Sequence, residues 1–288
     1  MKVLVLGATG MLGHKMLQRL GAKFEVAGTV RGDTAEAAQF SALAGTRLIG
    51  GVAATDLEGL ARVLNQEKPD AVINCIGMIK QLSGAKDPIT AITLNALFPH
   101  QLAKLATARG ARVIHFSTDC VFSGRQGPYK DDDVSDAEDL YGRTKYLGEI
   151  DGPGCLTLRS SIIGRELKQK AGLVEWFLSN RGGAVKGFTH ALYTGLTTLA
   201  MADLVAELLA ERPDLEGLWQ VSSEAVNKCE LLGIINEVYG LGIAVEPEDE
   251  FFCDRRLDSG RFRQATGWRP APWREMIEQM HDDPTPYE

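Results

Sequence analysis

The tightest constraint on this chain lies near its start. An apolar run, Val3 to Leu6, enters a turn carrying Gly7, Gly10 and Gly13, and the stretch Met11 to Leu20 then places apolar residues at helical spacing. A strand that passes through spaced glycines into a helix brings backbone N–H groups and the positive helix end to one point, where a pyrophosphate can sit. Gly7, Thr9, Gly10, Met11, Leu12 and Gly13 are therefore candidate contacts for a dinucleotide. Such turns also serve as plain connectors, so the rest of the chain must decide between the two.

Beyond the turn, short apolar runs alternate with helical stretches. Val3–Leu6, Phe24–Thr29, Arg47–Ile49, Ala71–Cys75, Arg112–Phe116 and Cys155–Leu158 read as buried parallel strands, and Met11–Leu20, Leu57–Gln66, Pro88–Ala108 and Leu140–Ile150 as crossover helices. The pattern predicts a doubly wound α/β sheet, with a kink or break at Pro99. Farther on, Glu166–Asn180 reads as helix, Arg181–Gly183 as a turn, Lys186–Leu196 as loop and strand, Thr198–Glu211 as helix, Leu218–Val221 as strand and Cys229–Tyr239 as a helix ending at Gly240. The expected organisation is a dinucleotide-binding domain from residues 1–164 and about 192–240, with a smaller substrate-binding lobe from about 165–191 and 241–288. His281 to Glu288 reads as a frayed tail.

Composition excludes several classes. A chain of 288 residues, 44% hydrophobic and 24% charged, suits a globular enzyme. The formal net charge of −7 opposes nucleic-acid binding, because no excess of cations exists to displace phosphate counterions. The five cysteines are scattered without C-x-x-C spacing and the five histidines form no H-x-x-x-H pair, so neither a disulfide framework nor a metal site is expected. No segment approaches the roughly 20 apolar residues of a membrane span, and the first apolar run is too short for a signal peptide, so a cytoplasmic location is expected.

Tyr141 and Lys145 form Tyr-x-x-x-Lys at the start of a predicted helix, one turn apart on one face. A neighbouring ammonium is expected to lower the pKa of the phenol and to make it an acid–base catalyst, with Lys145 also holding a nicotinamide ribose. Surface helix pairs share this spacing, but position argues for chemistry: the fifth strand runs straight into Ser117-Thr118-Asp119-Cys120-Val121-Phe122, which sets a hydroxyl at the carboxyl end of the sheet. Thr118 is the candidate for polarising a reacting carbonyl. At the end of the second strand the chain reads Gly28-Thr29-Val30-Arg31 rather than placing an acid there, so Arg31 favours a 2′-phosphate, unless Asp33 takes the ribose instead.

The glycine turn with its G-x-x-G-x-x-G spacing, STDCVFSG, Pro128-Tyr129 and YGRTKYLGE together resemble the dTDP-4-dehydrorhamnose reductase branch of the extended short-chain dehydrogenases. The resemblance spans most of the chain. It implies a Rossmann sheet and NADPH as cofactor, NADH being the alternative, with Thr118 polarising, Tyr141 donating the proton and Lys145 its partner. The implied reaction is reduction of a 4-keto, 6-deoxy sugar on a nucleoside diphosphate. Along the cofactor it places Asn74, Cys75, Ile76 and Gly77, with Asp56 and Leu57 near the adenine; Asp56 also reads as a helix cap. Toward the substrate it points to Lys80, Cys120, Arg255 and Arg256, though Lys80 also reads as a solvated lysine and the two arginines as salt-bridge partners; Arg165, after the sixth strand, and Lys186 face the same predicted crevice and are further candidates. Related dehydratases carry Glu where Cys120 stands and the reductases usually carry Tyr, which leaves the sugar open and gives Cys120 the alternative of a buried structural thiol. A homodimer through the helices at Pro88–Ala108 and Leu140–Ile150 is implied by the same analogy. Two rivals remain: a nucleotide-sugar epimerase that regenerates its cofactor, and a noncatalytic NADP-binding regulatory subunit like that of methionine adenosyltransferase.

Overall fold

The computed structural model describes residues 1–80 and 87–287. The chain runs through β1 (Lys2–Leu6), α1 (Met11–Gly21), β2 (Glu25–Thr29), α2 (Thr34–Ala38), β3 (Arg47–Ile49), α3 (Leu57–Glu67), β4 (Ala71–Asn74), α4 (Pro88–Ala91), α5 (Phe98–Thr107), β5 (Arg112–Ser117), α6 (Leu140–Leu147) and β6 (Cys155–Arg159). It continues through β7 (Ile162–Ile163), α7 (Leu173–Leu178), β8 (Ala184–Tyr193), β9 (Leu196–Thr197), α8 (Thr198–Glu211), β10 (Gly217–Gln220), β11 (Val226–Asn227), α9 (Lys228–Tyr239), β12 (Ala244–Asp254), α10 (Gly260–Thr266) and α11 (Trp273–His281).

Seven strands form one wholly parallel sheet in the order β10-β6-β5-β4-β1-β2-β3. Both faces are covered, which is why its strands read as unbroken apolar runs. Along β1 the side chains alternate between two cores: Val3 and Val5 pack with residues of α1 and α8, Leu4 and Leu6 with residues of α3 and α5. The strand order reverses between β1 and β4, and this switch point is where a crevice opens at the carboxyl edge. A second, three-stranded sheet of order β11-β8-β12 and a short β7-β9 pair complete the strand pairing among the described residues.

Four expectations need correction. Pro99 does not break its helix: Ile92–Leu97 winds as a π segment in which the Phe98 N–H reaches back to Thr93 O, so the wider turn relieves the clash Pro99 would otherwise make with the preceding turn. Only Leu173–Leu178 of the predicted 166–180 helix is helical, because Gln169 and Lys170 take positive φ and the Glu166 carboxylate accepts from the Ala171 and Gly172 N–H groups. The loop expected around Lys186 is instead a continuous strand, β8. The tail is docked: Asp283 and Thr285 each lie 2.6 Å from the buried Lys15 ammonium, and the Tyr287 hydroxyl lies 3.0 Å from His14 Nε2. Among the described residues no helix is long and apolar enough to cross a membrane.

Candidate active site

The glycine turn sits at the switch point. Gly7 adopts φ +82°, and a Cβ there would stand 3.1 Å from Cys75 O at the end of β4; a Cβ on Gly13 would stand 2.1 Å from Gly7 O. Both glycines are thus dictated by backbone approach. The Gly10 N–H donates to Gly7 O and the His14 N–H to Gly10 O, which leaves the N–H groups of Met11, Leu12 and Gly13 for an anion. Among the described residues no side chain caps α1 and no acid occupies its first turn, whereas Asp56, Asp139 and Asn227 cap α3, α6 and α9. An open, uncapped helix end of this kind fits a pyrophosphate. Thr9 lies half-buried in the turn.

The neighbouring strand ends complete a trough. Arg31 is exposed just beyond β2, while the Asp33 carboxylate is taken up by the Ala35 N–H at the start of α2. Asp56 accepts from the Gly59 N–H at 2.8 Å, as a cap does, and Leu57 opens α3 behind it. Beyond β4, the Ile76 N–H donates to Asn74 Oδ1, and Asn74 is held by His115 at 3.0 Å; Cys75 and Gly77 flank Ile76 along the same edge.

Thr118 lies just past β5, its hydroxyl accepting from the Cys120 N–H and donating to Asp119 Oδ1, both at 3.1 Å. Burial pushes the Tyr141 phenol pKa well above the usual value, nearby Cys120 and Asp119 push the same way, and the Thr118 hydroxyl pulls against them. The lowering expected from Lys145 is therefore not seen. The Lys145 ammonium donates instead to Phe116 O at 2.6 Å, and burial brings its pKa down to about 8. Gly142 explains how α6 comes so near: a Cβ there would lie 2.1 Å from Cys120 O. Asp139 caps the same helix through the Gly142 N–H.

The predicted substrate residues separate into two groups. Lys80 lies 5.5 Å over the Tyr141 ring and pairs with Asp139, and Arg255 donates to Phe122 O with one nitrogen 3.6 Å from Cys120 Sγ, so Lys80, Cys120 and Arg255 converge on the edge that holds Thr118 and Tyr141. Burial raises the Cys120 thiol to about 12, which keeps it protonated. The other three do not converge there. Arg165 is engaged by Glu175 and lies over the Tyr287 ring, Arg256 forks onto Asp254, and Lys186 is exposed on β8 with no contact to the site among the described residues.

Two groups escaped the sequence reading. Asn95 in the π segment accepts from the Met78 N–H at 2.7 Å and donates to Met78 O and Thr144 Oγ1, tying the β4 loop to α6. Beneath the site, buried Glu149 receives Arg159 through two nitrogens and the Ser117 hydroxyl. A lone Asn in an apolar helical stretch that also holds Pro99 was the available signal for the first.

The model of the RmlD substrate binding domain family matches residues 1–170. The chain belongs to this family. Among RmlD-type relatives, it is 31% identical over 150 residues to a dTDP-4-dehydrorhamnose reductase of Mycolicibacterium smegmatis, covering 51% of this chain and 40% of that one. It is 30% identical over 223 residues to a probable low-salt glycan biosynthesis reductase of Haloferax volcanii, covering 73% of each. Methionine adenosyltransferase 2 subunit beta of Xenopus laevis is 29% identical over 238 residues, 77% of this chain and 66% of that one. The chain spans less than half the length of several curated relatives it matches, 47%, 40% and 31% in three of them. In fold, it resembles a dTDP-4-dehydrorhamnose reductase from Bacillus anthracis solved with NADP, at TM-score 0.79 and 17% identity over 98% of this chain and 99% of that one. A Thermus thermophilus UDP-glucose 4-epimerase solved with NAD gives 0.76 and 20% over 98% of both.

Proposed function

We propose that this RmlD-family protein is an NADP(H)-dependent reductase of a 4-keto, 6-deoxy nucleoside-diphosphate sugar. The observation that carries the reading is the packing of α6, which bears Tyr141 and Lys145, against the turn that follows Thr118, on the same sheet edge as the open end of α1. NADPH, when bound, supplies the hydride. The N–H groups of Met11, Leu12 and Gly13 hold its pyrophosphate and the Arg31 guanidinium its 2′-phosphate, a role that Asp33, occupied as a cap, does not contest. Thr118 donates to the substrate carbonyl oxygen and draws charge onto it. The buried Tyr141 phenol holds its proton at neutral pH and releases it to that oxygen as the alcohol forms. Lys145 and Asn95 fix the position of α6 against the strand ends.

Two rivals share the fold: an epimerase, which returns its cofactor unchanged, and a regulatory subunit, which needs no turnover. Deuterated NADPH separates them. A reductase leaves one deuterium on the sugar C4 for each cofactor oxidised, measured by mass spectrometry; no label in the product despite cofactor binding contradicts the proposal. The protein is further proposed to be a homodimer, supported by Ile89, Ile92, Leu97 and Leu147, which stay exposed on α4, the π segment and α6. Light scattering on the purified chain tests this, and a monomer at micromolar concentration contradicts it.

A further inference from the structure

His14 is buried on the first turn of α1, and both of its ring nitrogens are engaged: Nδ1 lies 2.9 Å from Gly10 O and Nε2 3.0 Å from the Tyr287 hydroxyl. A carbonyl oxygen can only accept, so Nδ1 carries the proton and Nε2 of the neutral ring accepts from the phenol. Burial lowers the His14 pKa to about 4 and raises that of the Tyr287 phenol, so each keeps at neutral pH the form this arrangement needs. Gly10 O thereby accepts twice, from the His14 ring and from the His14 backbone N–H at 3.2 Å. The Gly10 carbonyl and the Met11 N–H belong to one planar trans peptide and point in opposite directions. Holding the oxygen toward His14 therefore turns the Met11 N–H outward, into the open end of α1. Tyr287 is itself seated: the Arg165 guanidinium lies 4.5 Å and the Lys15 ammonium 5.2 Å from its ring centroid, and the same ammonium holds Asp283 and Thr285.

We propose that His14 and Tyr287 are positioning residues for the cofactor pyrophosphate: through the phenol and the imidazole, the docked segment 282–287 sets the peptide whose N–H meets the anion. The inference rests on the dinucleotide reading of the glycine turn and goes beyond it, because both side chains act through Gly10 O and neither belongs to the glycine motif. By linkage the effect runs both ways: an anion held at the Met11 N–H favours the docked tail as much as the docked tail favours the anion.

Calorimetric titration of the whole chain with NADPH, and with 2′-AMP as a probe that has the 2′-phosphate and no pyrophosphate, tests this. Tyr287→Phe deletes the hydroxyl and keeps the ring beside Arg165 and Lys15; it is expected to weaken NADPH binding about fivefold, the size of one hydrogen bond, with 2′-AMP affinity and thermal midpoint unchanged. His14→Leu is expected to weaken NADPH at least as much, and Tyr287→Phe to add no further loss in that background. If His14→Leu does not fold, Tyr287→Phe decides alone. Hydrogen exchange gives the reciprocal result: saturating NADPH should slow exchange of the 282–287 amides in wild type and not in Tyr287→Phe. NADPH affinity in Tyr287→Phe within about twofold of wild type overturns the inference and leaves the reductase reading standing. Equal losses for NADPH and 2′-AMP overturn it too, marking the tail as structural. If the wild type binds no NADPH, the dinucleotide reading falls and takes this inference with it.

Discussion

Burial holds the Tyr141 phenol in its protonated form at neutral pH, because a phenolate there would be stripped of water. A proton donor in that state is ready for reduction, and replacing it should remove chemistry while sparing binding. Tyr141→Phe is expected to lower kcat about a thousandfold with NADPH affinity unchanged, read by stopped-flow turnover and fluorescence titration. Retained turnover would remove Tyr141 from its role. The pH profile is set by Lys145. Burial lowers its pKa to about 8, and the charged form is the one present at lower pH. The kcat/KM profile should therefore fall as pH rises through about 8, and a profile level to about pH 10 would contradict a role for that charge. At this scale the candidate site was legible where short motifs mark it: glycines where backbones touch, and Tyr141 and Lys145 one helical turn apart. Asn95 was not, since it acts through residues distant in the chain, Met78 and Thr144.

Helices and strands were legible wherever apolar periodicity was strong, which covers α1, α3, α8 and α9 and the six strands read ahead of β7. Pattern fails where side chains set the backbone. Glu166 satisfies two N–H groups of a loop that periodicity reads as helix, and Pro99 is absorbed by a π turn. The docked tail is the largest such case, because its polar residues look solvated until Lys15 is seen beneath them. His14 bridges Gly10 O and Tyr287, so the tail also braces the glycine turn. Breaking the Lys15–Asp283 pair leaves an uncompensated buried ammonium: with the two side chains 2% and 11% exposed, Asp283→Ala is expected to cost about 3 kcal/mol in urea denaturation. A loss under about 0.5 kcal/mol would show the tail to be an ornament of the surface.

For the molecule as a whole, the parallel sheet brings residues far apart in sequence to one edge: Gly7 after β1, Asn74 at the end of β4, Thr118 after β5 and Tyr141 on α6. That convergence results from right-handed crossovers, which place every strand's carboxyl end on the same side. The second sheet and the tail could not be read the same way, because β8 pairs with β12 across about fifty intervening residues and no local pattern encodes the pairing. The acidic surface implied by the net charge of −7 makes the local cations at Arg31 and Arg255 the expected anchors for anionic ligands. Reduction of a sugar nucleotide is best tested by absorbance at the nicotinamide band after NADPH meets 4-keto nucleotide sugars made in place by dehydratases. A reductase oxidises one NADPH per sugar reduced, and that is the expected result; bound cofactor with the sugars interconverted or untouched and no change in absorbance would contradict it.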